Sequence, residues 1–326
     1  MIFKIITTIN EKTEAIEKFQ NIDSESKIIL IGDLKSKHIK SNEKIKFLNI
    51  EDQKELGFKS FETLPYNHYA RKNLGYLFAL NNGAEIIYDT DDDNIPYNNW
   101  FTPEFEGEYS LTTKNQRYSN TYAYFTKEKI WPRGFPLSYE KESYHESELE
   151  KQDVKIGVWQ GLADLDPDVD AIYRLIIGKE VIFDKNSPIV LKPGTYCPFN
   201  SQNTTWRKTM IPYAYLPSTV TFRFTDILRG YITQRCLWEY NLHLGFHEAT
   251  VYQERNVHDL MKDFESELPC YTQTEKVVDI LENLSLTKDY ESNLMKIYTA
   301  LYKQNYVDKK ELTILKAWLE DLNKYF

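Results

Sequence analysis

The sequence predicts an α/β fold in which a mixed, mostly parallel sheet is flanked by helices and followed by a helical appendage. Apolar runs of strand length alternate with segments of helical spacing over the first 90 residues. The 326 residues include 41% hydrophobic side chains, which is enough to fill a substantial core. No glycine or proline occurs from Glu275 to the end. We therefore predict one domain over residues 1–270 and a helical region over 271–326.

The first 50 residues have the pattern of a β-α-β unit followed by a further strand. Residues 3–7, 26–31 and 45–48 are short apolar runs, which are typical of buried strands. Residues 11–19, between the first two runs, have helical spacing. This order predicts parallel strands, and ligands bind such sheets at the carboxyl ends of the strands.

A helix and a strand lead directly into a cluster of aspartates. Residues 69–80 place apolar side chains on one helical face, and we expect Gly83 to end this helix as its C′ residue. A predicted strand over 85–88 continues into the sequence Asp-Thr-Asp-Asp-Asp-Asn at 89–94. The aspartates therefore emerge at the carboxyl edge of the predicted sheet.

The rest of the chain has an irregular middle and helical segments after it. Residues 100–210 are rich in tyrosine, tryptophan, proline and asparagine, which predicts mixed strands and long loops. Helical spacing returns over 222–241 and again beyond Pro269. We expect two or three helices in this last part, packed on the main domain or on a partner, and a homodimer through them is one such arrangement. The helical spacing beyond Pro269 is shown by Leu312, Leu315, Leu319 and Leu322.

Composition excludes several classes of protein. The formal net charge is −9 and the pI is about 5.4, so nucleic acid is not an expected partner, because its binding depends on cations that contact phosphates. The three cysteines lack the short paired spacings of zinc sites, and we expect them to be reduced and buried. We find neither a signal-peptide pattern nor an apolar run near the roughly 20 residues of a membrane helix. A cytoplasmic location is expected, and peripheral membrane association is left open.

The aspartate cluster predicts a site for a divalent cation. Four carboxylates in five positions repel one another, and folding alone gives no reason to hold them together after an apolar strand. Mg²⁺ and Mn²⁺ prefer oxygen ligands and commonly bridge one or two carboxylates to substrate phosphates. Asp89 with Asp91, and Asp91 with Asp93, both have suitable spacing. We favour Asp91 and Asp93 as ligands, with Asp89 nearer a ribose.

An acidic turn is the alternative to a metal site. In that case the carboxylates cap a helix or form Asx turns. A calcium-binding loop is a third arrangement, but it needs a glycine at its sixth position and a glutamate at its twelfth, and the sequence has neither.

A second set of charged residues lies in the predicted helix over 222–241. Arg223, Asp226 and Arg229 are three residues apart, so on a helix they share one broad face. They form either a structural ladder of ion pairs or a reactive group. In the second case Asp226 is the base that takes a proton from an acceptor hydroxyl, and the arginines bind phosphate or carboxylate and keep Asp226 ionised.

Several short blocks of sequence carry a resemblance to a known family. Together they resemble the STELLO family, which are glycosyltransferase-like proteins, and the likeness spans roughly residues 3 to 270. The blocks are LPYN at 64–67, ARKNLGY at 70–76, IYDTDDDN at 87–94, PFNSQNT at 198–204, LP at 216–217, RFTDILRGY at 223–231, QR at 234–235 and RN-x-HD at 255–259.

This resemblance implies a GT-A-like, Rossmann-related fold that binds a divalent metal and a nucleotide-activated sugar, with a UDP-sugar favoured. In such a fold Thr7, Thr8 and Asp33, at the ends of the first two strands, contact the base and ribose. Arg71 or Lys72 then reaches the nucleotide or its diphosphate, because arginine offers two parallel donors and lysine a point charge. The alternatives are a cap and a turn for the first group, and solvated cations for the second.

The later blocks imply further contacts. By resemblance, His258 completes the metal shell, Arg255 closes on the diphosphate, and Asn200 lies in the acceptor or sugar pocket. A histidine with a purely structural role is the alternative for His258.

A more distant resemblance is to the reversibly glycosylated polypeptides of plants, which are UDP-arabinopyranose mutases. It rests on the aspartate triplet and on the Pro-Asp-Val-Asp-Ala sequence at 167–171. This resemblance implies that Asp168, Asp170 and Trp159 line a sugar or acceptor pocket, whereas a solvated acidic loop is the alternative.

We therefore expect a metal-dependent glycosyltransferase that transfers a sugar from a nucleotide donor to a glycan or glycoconjugate, with inversion, in surface glycan synthesis of bacterial type. A nucleotide-sugar mutase is the first alternative. The second is a catalytically silent subunit that binds a nucleotide sugar and organises other enzymes.

Overall fold

The computed structural model describes residues 1–23, 25–139, 149–254 and 259–326. These residues fold around a single mixed sheet with helices on both of its faces. The strands are β1 (Ile2–Thr7), β2 (Lys27–Ile31), β3 (Ile45–Leu48), β4 (Ile86–Asp91), β5 (Asn94–Pro96), β6 (Glu106–Thr112), β7 (Leu149–Leu165), β8 (Ile189–Val190), β9 (Asn203–Arg207) and β10 (His243–Gln253).

The helices connect these strands and then form the end of the chain. They are α1 (Glu14–Ile22), α2 (Ile50–Glu55), α3 (Lys59–Thr63), α4 (Lys72–Asn81), α5 (Tyr122–Phe125), α6 (Ala171–Ile176), α7 (Thr225–Leu237), α8 (Leu260–Thr272), α9 (Thr274–Glu282), α10 (Tyr290–Lys303) and α11 (Lys309–Leu322). Short 3₁₀ turns at Tyr69–Arg71 and Phe222–Phe224 precede α4 and α7.

The first four strands of the sheet are parallel, in the order β3-β2-β1-β4. β9 then joins β4 in the antiparallel direction, and β7, β6, β8, β10 and β5 complete the sheet with both orientations. The register pairs Thr7 with Ile31 on one side and with Asp91 on the other. The ends of β1, β2 and β4 are therefore level at one edge. The predicted α/β class, a mixed sheet flanked by helices, is confirmed, and its GT-A-like character stays a prediction.

The two faces of the parallel strands are covered by different helices because their side chains alternate. Ile5 and Ile31 face α4, and Ile6 and Leu30 face α1. Gly75 of α4 lies so near the sheet that an added Cβ would be 2.5 Å from Cγ2 of Ile5. This close approach explains the glycine in the middle of a helix.

Most of the amino-terminal strands and helices were predicted correctly from local sequence patterns. The predicted strands at 3–7, 26–31 and 45–48 correspond to β1, β2 and β3. Gly83 follows the end of α4 with φ of +80°, which is the left-handed conformation expected of a C′ glycine. The helix predicted over 11–19 begins later, at Glu14, because the side chain of Thr13 caps it by accepting from the backbone of Ile16.

The carboxyl-terminal helices share one core with the sheet. Val277 and Leu281 of α9 and Trp318 of α11 are fully buried in the same cluster as Met210 and Tyr213. The predicted boundary at residue 270 falls within α8, and the division of the chain into two regions stays a prediction.

The leucine spacing of the last helix is explained by packing within the chain. Leu315, Leu319 and Leu322 of α11 are buried against the rest of the molecule, and Leu312 is partly buried there. The three cysteines are buried, as expected. Among the residues described, no helix is both long and apolar enough to cross a membrane.

Candidate functional site

A cavity of about 620 Å³ lies at the carboxyl edge of β1, β2 and β4. Small-molecule sites commonly have volumes of roughly 300 to 1,000 Å³. The cavity has charged residues of both signs along its walls. The predicted site residues that line it are Thr7, Thr8, Asp33, Arg71, Asp91, Asp93, Asp168, Asn200, Arg223 and Asp226.

Asp89, the first residue of the aspartate cluster, lies behind the cavity wall. Its carboxylate is fully buried between the Nζ atom of Lys72, at 2.7 Å, and the Nη1 atom of Arg229, at 2.9 Å. None of these three side chains lines the cavity. The expectations that Asp89 lies near a ribose, that Lys72 reaches the nucleotide or its diphosphate and that Arg229 binds phosphate or carboxylate beside Asp226 differ from this geometry, because the Asp89 carboxylate pairs with both cations in the core.

Asp91 is the aspartate of β4 that reaches the cavity. Its Oδ1 atom accepts hydrogen bonds from the hydroxyl of Tyr69, at 2.7 Å, and from Nζ of Lys72, at 3.0 Å. The side chain is 34% exposed. Burial raises the pKa of Asp91, although the ammonium of Lys72 opposes this effect. Two donors thus fix Oδ1 of Asp91 at the wall of the cavity.

Asp92 and Asp93 follow in the turn after β4 and point to different partners. The Asp92 carboxylate accepts from the hydroxyl of Thr8 and from Nδ2 of Asn10, so Asp92 ties this turn to the one after β1. The Asp93 carboxylate accepts from Nε2 of Gln253 at 2.6 Å. Burial, together with the charges of the neighbouring aspartates, raises the pKa of Asp93 to about 7.

Arg71 is held rigidly at the end of the cavity nearest β2. Its Nε and Nη2 atoms donate to Oε1 of Gln53, at 3.1 and 2.6 Å, and Gln53 is itself fixed by two backbone carbonyls at the ends of β2 and β3. The rings of Phe61 and Tyr66 lie 5.1 and 4.7 Å from its guanidinium carbon. The Nη1 atom is buried and has no hydrogen-bond partner among the described residues. Arg71 therefore keeps one donor group for a ligand.

Asp33 and His68 complete this end of the cavity. The Asp33 carboxylate accepts from the backbone N–H groups of Leu34, at 2.7 Å, and His68, at 3.2 Å. Nδ1 of His68 accepts from the backbone of Ala70, and burial lowers the pKa of this histidine. The loop after β2 and the segment before α4 are thereby joined.

A compact group of charges forms a further part of the cavity wall. Arg133 donates two hydrogen bonds to Asp168, at 2.8 and 2.9 Å, and two to Asp226, at 3.1 and 3.0 Å. Burial opposes ionisation of Asp226, but the guanidinium groups of Arg133, Arg229 and Arg223 together outweigh it, so the pKa of Asp226 lies below its ordinary value. Arg223 pairs with the buried Glu267 at 2.6 Å.

Trp159 and Asp170, which were expected in a sugar pocket, lie elsewhere. Trp159 is fully buried, its Nε1 donates to the carbonyl of Glu104, and neither it nor Asp170 lines the cavity. Asp170 caps α6 by accepting from the backbone of Tyr173 at 2.8 Å and also accepts from Nε1 of Trp131 at 2.7 Å. These positions correct the prediction, because both side chains are used in the core.

Two further predicted residues, Arg255 and His258, lie outside the described residues. Within the described ranges no group of three or more His, Cys, Asp or Glu side chains is arranged to hold a metal ion.

Several residues of the cavity wall were not predicted from the sequence. Arg133 lies in the irregular middle of the chain, where no periodic pattern indicated its position. His68 and Tyr69 follow directly after the LPYN block, so that block was the available signal. Gln202 and Gln253, whose side chains are hydrogen-bonded to each other, also line the cavity.

Comparison with known proteins shows that the chain is similar to STELLO glycosyltransferases. A family model described as STELLO glycosyltransferases matches residues 223–326. Two curated proteins of Arabidopsis thaliana, Probable glycosyltransferase STELLO1 and Probable glycosyltransferase STELLO2, are each 29% identical to this chain over 301 residues, or 85% of it. The resemblance to the STELLO family is confirmed. The STELLO-like chain spans 38% and 39% of the length of these two relatives.

Two solved structures are distantly similar to the STELLO-like chain. Both are glucosyl-3-phosphoglycerate synthase from Mycobacterium tuberculosis, one in complex with phosphoglyceric acid and one with Mn²⁺ and uridine-diphosphate-glucose. They are 9% and 11% identical and cover 82% and 80% of this chain, with 78% and 74% of their own chains aligned. The TM-scores are 0.39 and 0.37.

Proposed function

We propose that this STELLO-like chain is a metal-dependent glycosyltransferase that moves a sugar from a nucleotide donor, UDP-sugar favoured, to a glycan or glycoconjugate. One observation carries the proposal. A single cavity is lined by three carboxylates of the aspartate cluster, by a rigid arginine with an unused donor group and by the charged wall formed by Arg133, Asp168 and Asp226. Such a cavity offers separate groups to a cation, a donor diphosphate and an acceptor.

The residues in the middle of the cavity fit a hard divalent ion. Asp91 and Asp93 supply carboxylate oxygens, and Mg²⁺ or Mn²⁺ is commonly held by one or two carboxylates together with substrate phosphates and water. Tyr69 and Lys72 both contact Oδ1 of Asp91, which leaves Oδ2 for a ligand. When bound, the cation neutralises the charge that develops on the departing nucleoside diphosphate.

The donor nucleotide is proposed to lie at the end of the cavity that contains Arg71. Nη1 of Arg71 offers a buried donor to a carbonyl or phosphate oxygen, and a buried donor without a partner costs roughly 1 to 3 kcal/mol until it finds one. Asp33 offers acceptor oxygens to a base or a ribose hydroxyl at the same end. Thr7 and Thr8 form the floor there, and the hydroxyl of Thr8 orients the turn through Asp92.

The acceptor is proposed to lie against the charged wall formed by Arg133, Asp168 and Asp226, where Asp226 takes its proton in an inverting displacement. Because the pKa of Asp226 is lowered by Arg133, this carboxylate is ionised throughout the neutral range. It is a weak base, so the acceptor hydroxyl must become acidic as its bond to the sugar forms. Asp168, Asn200 and Arg223 border the same space and are proposed to orient sugar hydroxyls.

A screen of nucleotides tests the donor and metal sites without knowledge of the acceptor. Thermal shift is measured with UDP, GDP, CDP, CMP and ADP, each with Mn²⁺ and with EDTA. We expect Mn²⁺-dependent stabilisation by one nucleotide, with UDP favoured. The double variant Asp91→Ala, Asp93→Ala should lose this response while its circular dichroism stays native, because the oxygen ligands are gone.

The control for this experiment is Glu85→Ala, just before the other end of β4, where an exposed ion pair with Lys208 is removed. Glu85→Ala should keep the response of the wild type. Unchanged Mn²⁺-dependent affinity in the double aspartate variant would contradict the proposed metal site.

The nucleotide-sugar mutase remains a second candidate, because Asp168 of the mutase-like segment does line the cavity. Product analysis with UDP-sugar and Mn²⁺ separates the candidates. Slow release of free UDP without an acceptor supports a transferase, an isomerised sugar supports a mutase, and binding with neither product supports a silent subunit.

The glycosyltransferase proposal also includes a cytoplasmic location, a role in the synthesis of bacterial-type surface glycans and a homodimer.

A further inference from the structure

Two buried carboxylates on α11 have no role in the proposed chemistry. Glu311 is 0% exposed and Asp321 is 2% exposed, near opposite ends of the helix. Buried carboxylates are rare unless they are paired or hydrogen-bonded. Each of these two accepts hydrogen bonds from the backbone of a segment far away in the sequence.

Asp321 caps a helix to which it does not belong. Its two oxygens accept from the backbone N–H groups of Lys59, at 2.9 Å, and Ser60, at 2.8 Å. These groups belong to the first turn of α3, whose own N-cap residue, Phe58, provides no side-chain hydrogen bond. The first N–H groups of a helix need a hydrogen-bond acceptor. Because Phe58 cannot provide one, the carboxylate of Asp321 on α11 caps α3 instead.

α3 in turn supports Arg71. Phe61 of α3 places its ring 5.1 Å from the guanidinium carbon of Arg71, and Tyr66 in the following segment lies 4.7 Å from it. The contacts therefore run from Asp321 through the start of α3 to the aromatic rings that hold Arg71 at the donor end of the cavity.

Glu311 makes equivalent contacts with a second segment. One of its oxygens accepts from the backbone of Ser218, at 3.0 Å, and Thr219, at 2.8 Å, and the other accepts from the hydroxyl of Tyr215. This segment leads directly into Phe222 and Arg223, which line the cavity.

We infer that α11 is a brace for the ligand cavity, in which Asp321 positions the donor end and Glu311 positions the acceptor end. Asp321 and Glu311 are positioning residues, since neither touches the cavity. The functional part of this inference rests on the proposed function, because a nucleotide is the ligand whose binding reports on Arg71. The structural part, that each carboxylate fixes its own segment, does not depend on any ligand.

Hydrogen exchange of the full chain tests the structural part. Three variants are compared: Asp321→Asn, Glu311→Gln and the control Glu320→Gln. Glu320 is the neighbour of Asp321 and also reaches α3, but it contacts only the side chain of Lys59 at the surface. We expect the increase in exchange to be greatest at 58–72 in Asp321→Asn and greatest at 215–224 in Glu311→Gln, with no increase at either segment in Glu320→Gln.

Nucleotide affinity tests the functional part at a temperature where all variants are folded. Asp321→Asn should weaken Mn²⁺-dependent UDP binding by about tenfold, the lower end of what supporting residues contribute in metal sites. Glu311→Gln removes a comparable buried contact from the same helix but should leave UDP affinity close to the wild type. If Asp321→Asn fails to fold, Phe61→Leu tests the same link, because it removes the ring from Arg71 and leaves the cap in place.

The outcomes separate the two proposals. Unchanged exchange at 58–72 in Asp321→Asn would overturn the brace, as would equal losses of UDP affinity in Asp321→Asn and Glu311→Gln, which would indicate general destabilisation. If the wild type binds no nucleotide of the panel, the proposed function fails, and the exchange pattern still decides whether α11 braces the two flanks.

Discussion

Arg71 and Lys72 are adjacent cations with opposite surroundings. Nζ of the buried Lys72 contacts Asp89 at 2.7 Å, Asp91 at 3.0 Å and the backbone carbonyl of Thr90 at 2.6 Å. Arg71 reaches the cavity and keeps one buried donor without a hydrogen-bond partner. Lys72 therefore stabilises the aspartate strand, whereas Arg71 is available to a ligand.

Lys72→Met should therefore destabilise the protein by about 3 to 5 kcal/mol, the usual cost of removing one partner from a buried ion pair. The variant leaves Asp89 with only Arg229 and removes one donor from Asp91. Urea unfolding followed by circular dichroism measures this loss. Lys208→Met, which breaks the exposed pair with Glu85, is the control and should cost less than about 1 kcal/mol. A Lys72→Met variant as stable as that control would disprove the structural role of Lys72.

The sequence could show that aspartates end a strand, but not which of them reaches the cavity. Asp89 and Asp91 lie on the same face of β4 because side chains alternate. Asp89 is two residues further from the edge, roughly 7 Å deeper at about 3.3 Å per residue. At that depth it is covered by Arg229 of α7, a helix far away in the sequence. No local pattern predicts that cover, so the expected ribose contact was assigned to the wrong depth.

α7 packs unusually close to the backbone near the cavity. A Cβ atom added to Gly230 would lie 2.6 Å from the carbonyl oxygen of Phe199. The same helix carries Asp226 at the cavity and Arg229 in the core. The position of α7 therefore depends on the absence of a side chain at residue 230.

Gly230→Ala should shift α7 away from the segment at Phe199 and cost about 1 to 3 kcal/mol, as overpacking of a core typically does. Thermal unfolding measures the loss, and Lys262→Ala on the exposed face of α8 is the control. Because helix propensity alone would favour alanine, a Gly230→Ala variant more stable than the wild type would show that the contact relaxes freely.

At the level of elements, the sequence predicted what local spacing controls. The strands at 3–7 and 45–48 and the C′ role of Gly83 rest on short apolar runs and on backbone conformation. The long β7 and the antiparallel pairing of β4 with β9 were not predicted, because the partners are far apart in the chain. The charged wall around Arg133 depends on the same long-range pairings and was missed with them.

The whole molecule depends on its last helices. Val277, Leu281, Trp318 and Leu319 are at most 3% exposed and belong to the core that contains Tyr213. Removal of these helices would expose a continuous apolar face, and such faces cause aggregation.

A chain truncated after residue 270 should therefore be insoluble or lack cooperative unfolding. Soluble yield, size-exclusion chromatography and near-ultraviolet circular dichroism measure this outcome. Deletion of residues 324–326 alone is the control and should be tolerated, because Lys324 and Phe326 are exposed and Tyr325 is only partly buried. A monomeric 1–270 chain with a cooperative transition would instead support an independent amino-terminal domain.

The antiparallel pairing of β9 with β4 also bears on the order in which the molecule forms. Thr90, between the two aspartates, is paired with Asn203 and donates its hydroxyl to the carbonyl of Gln202. Contacts between distant parts of a chain form slowly, because the intervening loop must be closed before they contribute stability. The aspartate edge can thus be assembled only after more than half of the chain has been synthesised and folded back. We expect the capacity to bind a ligand to be among the last properties that a refolding molecule regains.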